Sequence, residues 1–583
     1  AGDVSVENQG TIVTLGDRAA GVIAQSIGAG GGTAGSSFSS LALGAKDATG
    51  DAADVMVENR RGRIQTAGNY SVGVVAQSVG GGGGRVGKAS GSITLGTNGG
   101  GGDGGSVTIN NAGGLISTGG AYAPAYVMQS IGGGGGLVGL GDSNGNGTVV
   151  LGGGANGTHG SGGTLTLINA AGNLQTNGRF SPGVIHQSVG GGGGWIGSVA
   201  SGTVQLGGLS IDHVTGADLT LTLPFEVMTV GDNSPGVVLQ SIGGGGGVVA
   251  DVGGNVSIGG QQNERVDASG GLLNYNQLRR SVTTLGDDSP GVVLQSIGGG
   301  GGLLASVDGS TAVGSDSTTL TDVSAGAITA ISAAPITTTG ISSPGFTIQS
   351  LGGSGALVGS APTTISVGGD GRGDSRSGSI DFTNTGTILT SSANSSGVVL
   401  QSIGGGGIFT TSSGGAAVTL GGSVVGLNNS GAIQFLSRGS IRTRGENSSA
   451  IVAQSIGGGG GAVFAQADAE ASVLSLGATT ATSSQAGAVS ITVEDALSTT
   501  GSGSPAVIAQ SIGGGGGYAP LSSRNASAGA RSSSSGLGGA SVLVLLRANV
   551  TTQGSSSEGL IAQSIGGGGG VVGETSKSLH LGA

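Results

Sequence analysis

The chain has 583 residues, of which 136 are glycine, while 9% are charged and 2% are aromatic. A globular enzyme of this size normally has far more aromatic and charged side chains, and disorder does not fit a mean hydropathy of +0.23, because disordered chains are poor in apolar residues. The net charge of −11 argues against a nucleic-acid-binding surface, and the absence of cysteine excludes a disulfide framework and thiolate metal sites.

One motif recurs along the whole chain. The sequence GVVLQSIGGGGG occurs at 236–247 and again at 291–302, and its glutamine marks eleven copies. These glutamines are Gln25, Gln77, Gln129, Gln187, Gln240, Gln295, Gln349, Gln401, Gln454, Gln510 and Gln563. The first and the last are 538 residues apart, so the mean period is about 54 residues. A constant core with variable spacing indicates a repeat architecture in which insertions lie in loops.

The first block of each period predicts a strand with a corner. It reads Asn, one or two residues, Gly, any residue, Ile or Leu, any residue and Thr, as in NTGTILT at 384–390. Ile and Thr favour strands, and Asn and Gly tolerate the positive φ of a tight corner. We therefore expect a left-handed backbone conformation at the Asn–Gly corner.

The second block is the glutamine motif, which is often preceded by a Ser-Pro turn. In the segment VVLQSI at 237–242, alternate residues face opposite sides, and neither side is charged. A strand that is apolar on both faces is covered on both faces. The position of Leu239 varies most between copies, which suits the interior of a solenoid. The opposite side, which carries Gln240, needs a different cover.

We expect the glycine run to fold back over this glutamine side, with a neighbouring chain or a mobile glycine loop as the alternatives. The amides of all eleven glutamines would then stack in register and form a hydrogen-bonded ladder. Such a ladder satisfies polar groups that would otherwise cost roughly 1–3 kcal/mol each when buried.

The third block is a short alternating strand that ends in Leu-Gly or its equivalent, such as VTLG at 418–421. Helical periodicity is not sustained anywhere, so the three blocks predict an all-β fold. We interpret residues 1–583 as a single right-handed parallel β-solenoid, or β-helix, of about eleven repeats. A β-propeller of eleven blades would be too large. We expect two coils per repeat and a rod on the order of 100 Å long at the usual strand spacing.

Few residues offer chemistry, and we predict no catalytic residue, cofactor site or metal-ligand cluster. The four histidines are scattered without metal-ligand spacing: His159, His186, His213 and His580. Acidic loops such as 286–289 leave calcium as the cation to consider. The tripeptide Arg372, Gly373 and Asp374 spells an integrin-recognition motif and is the candidate adhesion site.

The ends of the sequence suggest partners. The chain starts on a strand of the first block and stops just after a third block, without a polar cap at either end. Open strand edges invite pairing, so either the chain is a segment of a longer array or we expect homotypic association, end to end or lateral. No apolar run is long enough for a membrane-spanning helix, and we expect no nucleic-acid partner.

The QSIGGGGG copies and the Asn-Gly-x-Ile-x-Thr blocks resemble the passenger regions of large Gram-negative autotransporters, the type V secreted surface proteins, over essentially the whole chain. The resemblance implies a β-helix on the bacterial cell surface that is exported through an outer-membrane barrel and commonly serves adhesion or biofilm formation. That barrel is not in this sequence, which leaves open whether the rod stays anchored. We therefore expect an extracellular adhesin, spacer or filament-forming subunit, with a polysaccharide or receptor as candidate partner.

Two other functions stay open. A polysaccharide- or ice-binding face would need flat ranks of threonine or aromatic residues, and the threonines are irregular. A polysaccharide-cleaving β-helix would need clustered acids and an aromatic groove, whereas the chain has a single tryptophan, Trp195.

Overall fold

The computed structural model describes residues 1–582 except 46–48, 97–100, 142–146, 153–159, 209–212, 260–266, 315–321, 362, 369–373, 414–416, 422–425, 465–472, 478–482, 523–524, 530–536 and 576–577. The described residues contain no helix, and 57% of the chain is strand. All sheet ladders are parallel and join successive repeats, which confirms the all-β parallel solenoid.

Each repeat forms one coil, so the expectation of two coils per repeat is wrong. Gln240 pairs with Gln295, and Gln295 pairs with Gln349, with no intervening coil. The eleven coils, numbered 1 to 11 in chain order, rise by about 4.8 Å each, which gives a stack roughly 50 Å long rather than 100 Å. The extra residues of each repeat form additional layers within the coil.

Sheet I contains the first block, with two strands per coil on either side of the Asn–Gly corner. The strands before the corner are Val4–Asn8, Val55–Asn59, Leu219–Leu223, Leu273–Gln277, Ile328–Ser332, Ile380–Asn384, Ile433–Ser437, Val489–Val493 and Val542–Leu546. Those after it are Thr11–Thr14, Arg63–Thr66, Glu226–Thr229, Val282–Thr284, Ile336–Thr338, Ile388–Thr390, Ile441–Thr443, Leu497–Thr499 and Val550–Thr552. The two strands are continuous in Val107–Thr118 and Leu165–Thr176.

Sheet II contains the glutamine motif. Its strands are Val22–Ile27, Val74–Val79, Tyr126–Ile131, Val184–Val189, Val237–Ile242, Val292–Ile297, Phe346–Leu351, Val398–Ile403, Ile451–Ile456, Val507–Ile512 and Leu560–Ile565. Sheet III begins inside the glycine runs. Its strands are Gly31–Ser37, Gly83–Ala89, Gly135–Gly141, Gly193–Val199, Gly246–Val252, Gly301–Val307, Gly355–Ala361, Gly407–Ser413, Gly460–Val463, Gly515–Ser522 and Gly568–Thr575.

Sheet IV contains the third block. Its strands are Leu41–Leu43, Ile93–Leu95, Thr148–Leu151, Thr203–Leu206, Asn255–Ile258, Thr311–Val313, Ile365–Val367, Val418–Leu420, Val473–Leu476, Asn525–Ala528 and Leu579–Leu581. Sheet V is a narrow strip ahead of sheet I in the later coils. Its strands are Val214–Thr215, Ala268–Ser269, Val323–Ser324, Ser375–Arg376, Leu427–Asn429, Ser483–Gln485 and Leu537–Gly538.

Sheets I to IV are stacked in that order, with apolar cores between them. Leu239 and its equivalents pack against sheet I. Val238 and Ile242 face sheet III, and the other face of sheet III packs on sheet IV. Sheet II is therefore covered on both faces, as the motif predicts. Because sheet III lies in the middle as well, most of its side chains are also buried.

The left-handed residues do not lie at the Asn–Gly corner in most coils. Positive φ values of 50° to 62° recur instead at the residue before the Ser-Pro turn, between sheets I and II. These residues are Arg18, Tyr70, Tyr122, Phe180, Asn233, Asp288, Ser342, Asn394, Asn447, Gly503 and Ser556. At the Asn–Gly corner the asparagine side chain bridges the turn, so the backbone needs no positive φ; Asn384 Nδ2, for example, donates to the Gly386 carbonyl at 2.9 Å.

Candidate functional site

The structure brings all eleven glutamines together in one column between sheets II and III. Each Nε2 donates to the Oε1 of the glutamine in the next coil, and the ten bonds measure 2.5 to 2.9 Å. The glutamines of coils 2 to 10 are fully buried. The column is continuous from Gln25 to Gln563 and has one direction throughout.

In five coils the Nε2 group also contacts a backbone carbonyl of sheet III. Gln295 Nε2 lies 3.2 Å from the Gly302 carbonyl oxygen, and Gln454 Nε2 lies 3.4 Å from that of Gly461. In coil 1, Thr33 Oγ1 donates to Gln25 Oε1 at 2.7 Å. These contacts use the amides inside the protein, so the column is a structural element rather than a surface for a ligand.

The glycine runs are ordered parts of the coil. Residues 298–302 are buried, and Gly301 donates its N–H to the Gly245 carbonyl at 3.1 Å. The run turns the chain and then begins sheet III, whose backbone covers the glutamines. The cover therefore comes from the same chain, and neither a neighbouring chain nor a mobile loop is needed there.

Two glycines at the start of most sheet III strands adopt a conformation that side chains rarely reach. Gly135 has φ +139°, and a Cβ there would lie 2.0 Å from the Gly193 carbonyl oxygen. Two coils depart from this pattern, since Ala356 and Ile408 take the second position and bury their side chains in the core between sheets III and IV. Glycine is thus required by the close approach of successive coils.

The serine after each glutamine has a role that the sequence reasoning missed. Ser296 Oγ donates to the Gly271 carbonyl at 2.9 Å and accepts the N–H of Gly326, in the next coil, at 2.8 Å. The same hydroxyl donation to the segment ahead of sheet I occurs in the other coils. The signal was the presence of serine in every copy of the motif. These serines therefore hydrogen-bond sheet II to the segments that precede sheet I.

The histidines that the structure describes do not meet. His186 lies in the core between sheets I and II, at the position that Leu239 occupies in the next coil. His213 lies on the surface, 3.2 Å from an Asp267 carboxylate oxygen, and His580 is exposed. His159 lies outside the described residues.

We expect His186 to make stability depend on pH. Burial lowers its pKa from 6.5 to about 3. Between these values the unfolded chain binds a proton that the folded chain does not, so stability is lost as the pH falls below 6.5, by about 1.4 kcal/mol per unit. Urea unfolding midpoints measured at pH 7, 5 and 4 should therefore fall more steeply for the wild type than for His186→Leu. The His186→Leu variant should fold, because Leu239 and Leu294 already occupy the same column. Equal slopes for the two proteins would contradict the proposed role of His186 in the pH dependence.

The other sequence-predicted residues lie apart from the column. Arg372 and Gly373 lie outside the described residues. Asp374 Oδ1 accepts the N–H of Leu427 at 3.0 Å, and its Oδ2 accepts Arg376 Nη2 at 3.0 Å. In the acidic loop 286–289, Asp287 Oδ1 accepts the N–H of Ile341 at 2.7 Å. Within the described ranges, no three His, Asp or Glu side chains converge as ligands for a metal ion.

A groove that the sequence reasoning did not anticipate runs along the stack at the open side between sheets II and III. One wall is the left-handed residue of each coil, and the other is the residue 17 positions later, in or just after the sheet III strand. We call it the side groove. Its wall pairs include Tyr70 with Gly87, Tyr122 with Gly139, Phe180 with Gly197, Asn447 with Phe464, Gly503 with Pro520, and Ser556 with Gly573.

Ring-bearing residues fill much of the side groove from one wall or the other. In coils 2 to 4, the rings of Tyr70, Tyr122 and Phe180 stack on one another, with centroids 4.8 and 5.0 Å apart, and the Tyr70 ring lies against Gly139 of the next coil. The Arg179 guanidinium lies 5.5 Å from the Phe180 ring centroid, and Tyr122 donates its hydroxyl to Asp251 at 2.6 Å. In coils 9 and 10, Phe464 and Pro520 project from sheet III instead. In these five coils the ring comes from one wall only, with a residue without a ring opposite it.

No family model, no curated protein and no solved structure matches the chain. Among the described residues, no helix is both long and apolar enough to cross a membrane.

Proposed function

We propose that the chain is a non-catalytic structural segment of an extracellular bacterial surface protein, in which the stack acts as a stiff spacer. One observation carries the proposal, namely the column of glutamines whose amides bind one another from coil to coil. A side chain that is conserved in position across eleven coils yet fully engaged inside the fold contributes to rigidity rather than to binding.

The layered interior supports this role. Four sheets with three cores between them resist bending better than one ring of strands, because every coil touches its neighbours through all four layers. The motif resemblance to autotransporter passengers favours secretion to the cell surface, and a chain without cysteine suits export in an unfolded state. Adhesion and filament formation are further functions that the same stiff stack would support.

A distance measurement tests the spacer role. The chain has no cysteine, so spin labels can be placed on one column of sheet I, at Ser5 with Asn274 and at Ser5 with Ser490. These pairs are five and nine coils apart. We expect narrow distance distributions near 24 and 43 Å by pulsed electron paramagnetic resonance, from a rise of about 4.8 Å per coil.

The shorter pair is the matched control for label mobility. A stiff spacer keeps the longer distribution as narrow as the shorter one, whereas a flexible stack broadens it in proportion to the number of coils. Broadening of that kind, or a mean distance far below 43 Å, would contradict the proposal.

A further inference from the structure

The outer face of sheet I has an uncharged area that spans five inner coils. Three columns of outward-facing residues cross coils 3 to 7, starting at Thr108, Asn110 and Ser117 and ending at Thr329, Ile331 and Thr337. All the side chains of these columns are uncharged, whereas Glu58 in coil 2 and Asp381 in coil 8 continue two of the columns with acids. We call the uncharged area the neutral face. The chain has a net charge of −11, and a second copy meets little electrostatic repulsion there.

Two isoleucines occupy symmetric positions on the neutral face. Ile168 is 53% exposed, and Ile331 is 42% exposed. Each follows by two residues a threonine of the first column, Thr166 in coil 4 and Thr329 in coil 7. The two side chains therefore lie at the same place along the strand, on either side of the boundary between coils 5 and 6. A copy turned by 180° about a strand-parallel axis at that boundary places its coil 7 over coil 4, and isoleucine meets isoleucine twice.

The charges beside the corner follow the same symmetry. Glu226 in coil 5 and Arg280 in coil 6 lie at nearly the same place along the strand, because the Val227 N–H bonds the Ser281 carbonyl at 3.1 Å. The same rotation opposes coil 5 to coil 6, so each carboxylate comes near an arginine of the other copy. A rotation about the stack axis would instead oppose each coil to its own copy and bring arginine toward arginine. The charges thus favour an antiparallel arrangement of the two stacks.

The neutral face is large enough for a stable dimer. Five coils at about 4.8 Å, and roughly eleven residues at about 3.3 Å along the two strands, give about 900 Å² per copy. Both copies together would bury about 1,800 Å², and specific interfaces bury about 1,200–2,000 Å².

We propose that the neutral face joins two copies of this chain side by side, with antiparallel stacks and a two-fold axis between coils 5 and 6. Each Ile331 packs against the partner's Ile168, and each Glu226 lies near the partner's Arg280. This interface lies on inner coils, goes beyond the spacer role and does not depend on it.

Sedimentation equilibrium of the full chain tests the dimer. We expect a dissociation constant of about 1 µM or tighter for the wild type, since interfaces of this size range from micromolar to picomolar. Ile331→Lys places a charge on the neutral face and should weaken dimerisation at least tenfold. The matched control is Val473→Lys, at a residue that is 48% exposed on sheet IV, and it should leave the dissociation constant unchanged.

A charge exchange tests the proposed pairing. Glu226→Arg and Arg280→Glu each oppose like charges in the dimer, and each variant alone should dimerise at least fivefold more weakly than the wild type. An equal mixture of the two variants opposes arginine to glutamate at both sites and should regain the wild-type affinity. Both substitutions lie at exposed or half-exposed positions, so folding is not at risk.

Cross-linking tests the orientation. The chain has no cysteine, so Thr166→Cys and Thr329→Cys each supply a single thiol. A short bis-maleimide should link the two variants when they are mixed, because coil 4 lies over coil 7. Each variant alone should link poorly, because its two thiols lie three coils, about 14 Å, apart along the stack.

Three results would overturn the proposal. One is a wild type that stays monomeric at about 100 µM, far above the expected dissociation constant. Another is association that Ile331→Lys does not weaken or that the mixed charge variants do not restore. The third is cross-linking of each thiol variant with itself as efficiently as in the mixture. Adsorption of a monomeric wild type to crystalline cellulose would assign the face to a polysaccharide and overturn it as well.

Discussion

Gly135→Ala is expected to destabilise coil 3 by more than about 4 kcal/mol, a loss at the upper end of what single substitutions cause. The new Cβ would lie 2.0 Å from the Gly193 carbonyl oxygen and 2.9 Å from its nitrogen. Both are backbone atoms of the next coil, so no side-chain rotation relieves the contact. The φ of +139° adds backbone strain. Hydrogen exchange of the amides in coils 3 and 4 measures the loss directly.

Gly119→Ala is the matched control in the same coil. Its Cβ would meet its nearest atoms at 3.5 Å, an ordinary contact, and its φ is not positive. The chain already has Ala67 at the equivalent position of coil 2. We expect a change within about 0.5 kcal/mol. Similar exchange rates in the two variants would show that close coil approach does not determine where glycine is required.

Gln295→Leu is expected to cost roughly 2–6 kcal/mol, although leucine leaves little empty space. The substitution leaves Gln240 Nε2 without its acceptor and Gln349 Oε1 without its donor. Each buried polar group without a partner costs roughly 1–3 kcal/mol. Gln563→Leu is the comparison, because Gln563 bonds one neighbouring glutamine and its loss leaves only Gln510 Nε2 without an acceptor, so it should cost roughly 1–3 kcal/mol, about half as much. Urea unfolding of both variants gives the comparison.

A double substitution separates the ladder from ordinary packing. With Gln240→Leu and Gln295→Leu together, one donor at Gln187 and one acceptor at Gln349 remain without partners, as many as in the single variant. We therefore expect the pair to cost clearly less than the sum of the two singles. Strict additivity would refute a cooperative column.

The sequence was sufficient to predict the fold class and the two faces of the glutamine strand, because the period-2 alternation and the recurring motif can both be read directly from the residues. It was not sufficient for the number of coils per repeat. A period specifies how much chain lies between equivalent residues, but not how many layers that chain forms before it returns. Sheet III was the missing layer, and its first residues are glycines such as Gly301, which carry no alternation to recognise.

The left-handed corner was misplaced for a related reason. Asparagine and glycine predict positive φ, yet the recurrent left-handed residues include Tyr70, Tyr122 and Phe180, which propensity would place elsewhere. Their rings gain burial in the side groove, and tertiary packing offsets the local strain. The interval of 17 residues between the groove walls can be read from the sequence. It indicates a groove only once the left-handed residue and the sheet III strand are known to lie opposite each other.

The single direction of the glutamine column makes the stack electrically polar. Contacts such as that of Gln295 Nε2 with the Gly302 carbonyl determine which amide atom faces which neighbour, so all eleven amides point the same way. Backbone dipoles of a sheet largely cancel, whereas these side-chain dipoles, about 3.5 D each by analogy with a peptide unit, add along the axis. Coil 11 is the positive end and coil 1 the negative end. Copies lying side by side should therefore prefer opposite orientations, and copies in line should prefer the same orientation.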